Sequence, residues 1–208
     1  MLLTMLVGVI MAQRPEVSST TRLWPAVGQF LNANSSVIVP ETLRLAPGSL
    51  IGFSFKTCLP GELLKQKGDG PDELKLLLDE EGSLVLHLVS ATSAPEKARI
   101  KANLLDSEWH TVILSVDQDT NILKVSVGGG GSVELKGHRS LDLTSSSPQL
   151  HVGGGYMACI NEGPGVKLSH DDRISTNVQW LSKTQTCLLP SKCSGNHKQL
   201  ENPFMFEI

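Results

Sequence analysis

Aromatic residues are scarce: three Trp, one Tyr and five Phe make up 4% of the chain. Single-stranded nucleic acid is bound largely by stacking bases on aromatic rings, and no such platform is encoded here. An excess of positive charge is also missing. Lys and Arg total 18 against 21 Asp and Glu, a formal net charge of −3, and the basic residues are scattered rather than clustered. That distribution argues against a nucleic-acid surface. No apolar run approaches the length of a transmembrane helix. The four cysteines, Cys58, Cys159, Cys187 and Cys193, include no Cys-x-x-Cys pair, which disfavours a zinc ribbon or a thioredoxin-like redox centre. Their even count suits two disulfides or none, and their usage favours an oxidising compartment. No Gly-x-Ser-x-Gly elbow presents a nucleophilic serine, and no segment sustains a helical period.

What is present is punctuation and alternation. Nineteen Gly and eleven Pro are spaced along the chain, as in folds of short strands and turns. Ser36–Val39 reads as a strand ended by Pro40, and Ile51, Phe53 and Phe55 alternate onto one face of another. Glu73–Leu78 and Ser83–Val89 flank Asp79-Glu80-Glu81-Gly82, a hairpin signature. Further strands are expected at Glu62–Gln66, Ala98–Ala102, Trp109–Val116, Leu123–Val127, Ser132–Leu135 and Gln149–Gly154. Gly128–Gly131 lacks the Lys-Ser/Thr ending of a phosphate loop and reads as a turn. Strands recurring about every ten residues imply an all-β, antiparallel β-sandwich. Trp109 is expected to close one end of its core, with His110 supporting it by local hydrogen bonding. Asn34-Ser35-Ser36 is an N-glycosylation sequon on an expected turn. The organisation read from these features is a lead-in over residues 1–22, one domain over 23–187 and a tail over 188–208. Met1–Ala12 is apolar enough for the core of a signal peptide, although no Lys or Arg precedes it.

The order of five motifs resembles the laminin G-like family, in its concanavalin A-like, jelly-roll form. They are Phe53-Ser54-Phe55-Lys56, then Asp106-x-Glu108-Trp109-His110-x-Val112, then Leu123-x-Val125-x-Val127-Gly128, then Leu150-x-Val152-Gly153-Gly154, and a late pair, Cys159 and Cys187. The resemblance covers most of the chain from about Phe30 to Cys187. It departs from the family at Gly128, where an aspartate is usual, and in the broken run after Cys159. It implies a Cys159–Cys187 disulfide, and by elimination a second between Cys58 and Cys193. Cys193 follows Cys187 as it would if an EGF-like module began there, the arrangement of crumbs- and neurexin-like mosaic proteins.

The resemblance also implies a function: a non-enzymatic extracellular module, secreted or part of a membrane protein, that binds protein or glycan partners through rim loops. The loops concerned are Gly68–Asp72, Ser90–Lys97 and Ser145–Pro148. Such modules often hold one calcium ion at the rim. Asp72 matches the first ligand position, whereas Ser145-Ser146-Ser147 stands where a second ligand is expected, with Asp142 nearby. A carbohydrate-active enzyme on the same sandwich would need paired carboxylates in a cleft. The one dense acidic cluster, Asp79-Glu80-Glu81, sits instead at a hairpin tip. A carrier of small apolar ligands would need a gap between the sheets.

Overall fold

The structure, a computed structural model, describes residues 26–128, 130–136, 141–182 and 184–189. The possible signal segment, Cys193 and the chain from residue 190 onward lie outside the described residues. Among the described residues fourteen strands follow one another: β1 (Val27–Phe30), β2 (Ser36–Val39), β3 (Leu50–Thr57), β4 (Gly61–Lys67), β5 (Glu73–Leu78), β6 (Leu84–Val89), β7 (Glu96–Ile100), β8 (His110–Val116), β9 (Leu123–Val127), β10 (Gly131–Leu135), β11 (Leu150–Val152), β12 (Ala158–Asn161), β13 (Ile174–Thr176) and β14 (Val178–Leu181). They form two antiparallel seven-stranded sheets, ordered β10-β9-β8-β3-β12-β1-β14 and β13-β2-β11-β4-β5-β6-β7. The expected antiparallel sandwich is therefore the fold.

Alternation explains why these segments are strands. On β3 Ile51, Phe53 and Phe55 are buried; on β8 Val112, Leu114 and Val116; on β5 Leu74, Leu76 and Leu78. Each set lies on one face of its strand, so one sheet's apolar face meets the other's. At Gly153, φ is +75° and the ring of Phe30 fills the space a Cβ would need. A side chain there would be strained and would collide with the core.

Besides the strand expected at Ala98–Ala102, which forms as Glu96–Ile100 and so takes Lys97 out of the expected Ser90–Lys97 loop, two sequence expectations change. Trp109 is 45% exposed and does not plug the core. It shares its parity with Thr111 and Ile113, the outward positions of β8, while Leu104 and Leu105 just upstream are buried instead. His110 does act locally: its Nε2 lies 2.8 Å from Asp106 Oδ1 and its ring packs against Phe55, centroids 5.7 Å apart. The second change is at the C-terminal side, where β13 and β14 were not anticipated. Asn177, at φ +51°, turns the chain between them, so β13 adds to one sheet and β14 to the other.

Register fixes which loops meet. Lys67 of β4 pairs with Glu73 of β5, Glu73 with Val89 of β6, and Leu150 of β11 with Gln66 of β4. The β4–β5, β6–β7 and β10–β11 connections therefore emerge at one end of the sandwich. The β1–β2 turn carrying Asn34 leaves from the opposite end, where Val37 pairs with Val152 and Val152 with Leu64.

Candidate functional site

The rim is built around two aspartates of the β4–β5 connection. Asp72 is only 5% exposed. The Ala91 N–H donates to its Oδ1 at 2.7 Å, and the Asp142 N–H donates to its Oδ2 at 2.6 Å. One carboxylate thus ties the β6–β7 loop to the β10–β11 loop. Asp69 makes the second clamp. The Ser145 hydroxyl donates to its Oδ1 at 2.7 Å and the Ser146 N–H to its Oδ2 at 2.8 Å. Its own N–H donates to the Thr144 carbonyl at 3.1 Å. Gly68 lets the two loops close up, because a Cβ there would overlap the Asp142 carbonyl oxygen. All three rim loops singled out in the sequence are brought together.

Electrostatics follow from these bonds. The Ser145 hydroxyl and the Ser146 N–H, aided by the Ser146 hydroxyl, hold the Asp69 carboxyl below its ordinary range against a small opposing effect of burial. The Thr144 hydroxyl and N–H do the same for Asp142, opposed by some loss of hydration and by the nearby Asp69 charge. At Asp106, burial works upward but is outweighed by hydrogen bonds from His110 and the Glu108 N–H together with the His110 charge. The acidic hairpin tip is also occupied structurally. Asp79 Oδ1 accepts the Glu81 and Ser83 N–H groups, and Arg99 lies 2.7 Å from Asp79 and 2.6 Å from Glu81. Among the described residues, no group of three or more His, Cys, Asp or Glu side chains is placed to hold a metal ion.

The remaining sequence-derived sites can be placed individually. Cys159 is bonded to Cys187, as expected, which fastens the segment after β14 across β12. Cys58 is half-buried just after β3, and its expected partner Cys193 lies outside the described residues. Asn34 is exposed on its turn.

The family model for the laminin G domain matches residues 55–178, more than half of the chain. The chain belongs to the laminin G family. No curated protein matches it in sequence. Among solved structures, the LG1-3 region of the laminin alpha2 chain superposes with a TM-score of 0.59 at 18% identity, over 74% of this chain and 34% of that one. Domains LG4-5 of the mouse laminin alpha1 chain give 0.50 at 18% identity, over 73% and 46%. A heptameric SAP-like pentraxin from Limulus polyphemus gives 0.51 at 10% identity, over 75% and 94%. At these identities the likeness is one of fold. The chain spans less than half the length of the two laminin structures.

Laminin G domains are typically extracellular binding modules. The disulfide agrees with that setting, and among the described residues no helix is long and apolar enough to cross a membrane. The donor set at this domain's rim does not fit the calcium ion the family often carries. Calcium needs about six to eight oxygen ligands. Among the described residues no three acidic side chains converge at the rim, each Asp72 oxygen is engaged by an amide N–H, and at the second position Ser145 and Ser146 donate to Asp69. Asp69 is the residue that sequence reading missed. The signal was available, since two acids three residues apart face a serine run, but only the register shows that the loops touch.

Proposed function

We propose that this laminin G domain is a non-enzymatic extracellular module that binds a protein or glycan partner at the rim and needs no calcium to do so. The observation behind this reading is the double clamp. Asp72 and Asp69 hold the β4–β5, β6–β7 and β10–β11 loops as one platform. A surface ordered before binding loses less conformational entropy when a partner arrives. The register supports the same reading, because a glycan on Asn34 would leave from the far end and keep the rim open.

The test is capture of extracellular proteins and glycans by the disulfide-bonded chain, in calcium and in EGTA. Equal capture in both is expected, with loss on Ser147→Trp, which places a bulky ring on the exposed rim. Capture that requires calcium, or that ignores the rim substitution, would overturn the proposal.

A further inference from the structure

Three of the six large apolar side chains exposed among the described residues stand on two neighbouring strands of one sheet. Trp109 and Ile113 lie on the outer side of β8, and Leu50, 52% exposed, lies on the outer side of β3. Strand parity turns them outward, because Ile51, Phe53, Phe55, Val112 and Leu114 are buried. The other outward residues are Gly52, Ser54 and Lys56 on β3 and Thr111 and Ser115 on β8. Register arranges them in rows: Leu50 beside Ser115, Gly52 beside Ile113, and Ser54 beside Thr111. Lys56, one residue past the Phe55–His110 pair, is level with Trp109. Gly52 forms a dip between Ile113 and Pro164, with room for a Cβ at ordinary contact distances. Lys56 is the one charge among these eight residues. The outer face of the opposite sheet instead carries Lys65, Lys75, Lys97 and Arg99 with Glu62 and Glu73.

We infer that this face is the interface of a homodimer, two copies packed sheet to sheet about a twofold axis that runs between β3 and β8 and parallel to them. Such an axis exchanges the two strands, so each row meets its own reverse. Ile113 enters the second copy's dip over Gly52, and Leu50 covers its Ser115. The Thr111 hydroxyl meets its Ser54 hydroxyl, groups that both donate and accept. The Trp109 ring meets its Lys56 ammonium, a favourable cation–π pairing. Each contact occurs twice. An axis across the strands would instead set Gly52 against Ser54, leaving a void, and Ile113 against Thr111, two β-branched side chains head to head. Charge agrees with this choice of face. A chain of net charge −3 repels its copy least across a surface whose centre holds no carboxylate.

The area suffices. β8 is seven residues long, and the axis lies at the middle of the six strands from β10 to β1. At a strand spacing of about 4.8 Å they offer roughly 700 Å², close to the ~800 Å² per partner of a stable dimer. The segment after β14 fits as well. Cys159, level with Lys56, ties it to the outer side of β12. The axis sets that raised corner opposite β9 and β10 of the second copy, which stop level with Val112, short of the Trp109 row. Sheets packed face to face keep their strands within about 30° of each other. An axis along the strands therefore points the rims of both copies the same way. Two rims side by side make a bivalent binder, in which weak contacts reinforce each other. That consequence, unlike the dimer itself, rests on rim recognition.

Sedimentation velocity of the whole disulfide-bonded chain across the micromolar range tests this, with a shift from one chain mass to twice that mass expected. Ile113→Lys should raise the dissociation constant about tenfold or more by burying an ammonium over Gly52, and Gly52→Asp should do the same by burying a carboxylate under Ile113. Mixed in equal amounts, the two variants should dimerise again. The axis then brings the two substituted positions together at one contact and leaves the native pair at the other. Both positions face outward, so the dilute variants should melt with the wild type, and Ser147→Trp should leave the dimer intact. A monomer throughout the range overturns the inference and leaves rim recognition standing. So does a dimer indifferent to both substitutions, one lost in Ser147→Trp, or a mixture that stays monomeric. A monomer whose Trp109 is shielded from acrylamide, read against Trp109→Phe, assigns the cover to the chain beyond residue 189 and overturns it as well.

Discussion

Each oxygen of Asp72 receives one backbone amide, and the side chain is almost fully buried. Removing it leaves two amide donors at the rim without their acceptor, and hydrogen bonds to a charged group contribute more than neutral ones. Asp72→Ala is expected to lower unfolding stability by about 3 kcal/mol and Asp72→Asn by about 1–2 kcal/mol, read from urea unfolding. Phe55 and Trp109 give the opposite lesson about size. Phe55→Ala should cost about 3–5 kcal/mol, because its ring has no exposed surface. Trp109→Ala should cost about 1 kcal/mol or less, because nearly half of the ring is already in water. The larger aromatic residue is the less important one for stability, and the two unfolding midpoints measured side by side check this.

Strands written as alternation were legible without coordinates. β2, β5 and β9 begin and end where the apolar periodicity and the flanking turn residues place them, and β8 begins one residue later, at His110. β13 was not legible because Ile174, Ser175 and Thr176 are all exposed, so there is no buried face to read. β14 is only partly buried, and the Trp180 ring packs under the Arg173 guanidinium, 4.4 Å from its carbon. Burial, not chemistry, is what sequence patterning records. The same limit hid which outward residues of neighbouring strands lie side by side. Lys65, Lys75 and Lys97 are far apart in the chain, and only cross-strand pairing aligns them. The Cys159–Cys187 bond acts at this scale too, fastening the end of the domain to β12 across a separation of 28 residues. Cys187→Ala should lower stability by about 3 kcal/mol under non-reducing conditions. Dithiothreitol should reduce the wild-type protein to the same level and leave the variant unchanged.

Across the whole molecule, titration separates histidine from carboxylate effects. His87 is held below its ordinary range in the folded state, so the unfolded chain binds its proton first as the pH falls. Stability is therefore expected to decline as the pH drops through the ordinary imidazole range, near 6.5, and to level off below the folded value. His87→Gln should flatten that decline. Asp69, Asp106 and Asp142 are also held low, but their contribution is present above about pH 4 and is lost only as the pH falls further. Melting curves from about pH 7.5 to pH 3 resolve both windows.

Calcium titration followed by the melting temperature tests the metal-free rim most directly. A resident ion stabilises the fold by mass action, so an occupied site would raise the melting temperature saturably. With Asp72 bonded to Ala91 and Asp142, and Asp69 to Ser145 and Ser146, the melting temperature is expected to be the same in EGTA and in millimolar calcium. A saturable rise that disappears in Asp72→Asn would contradict it.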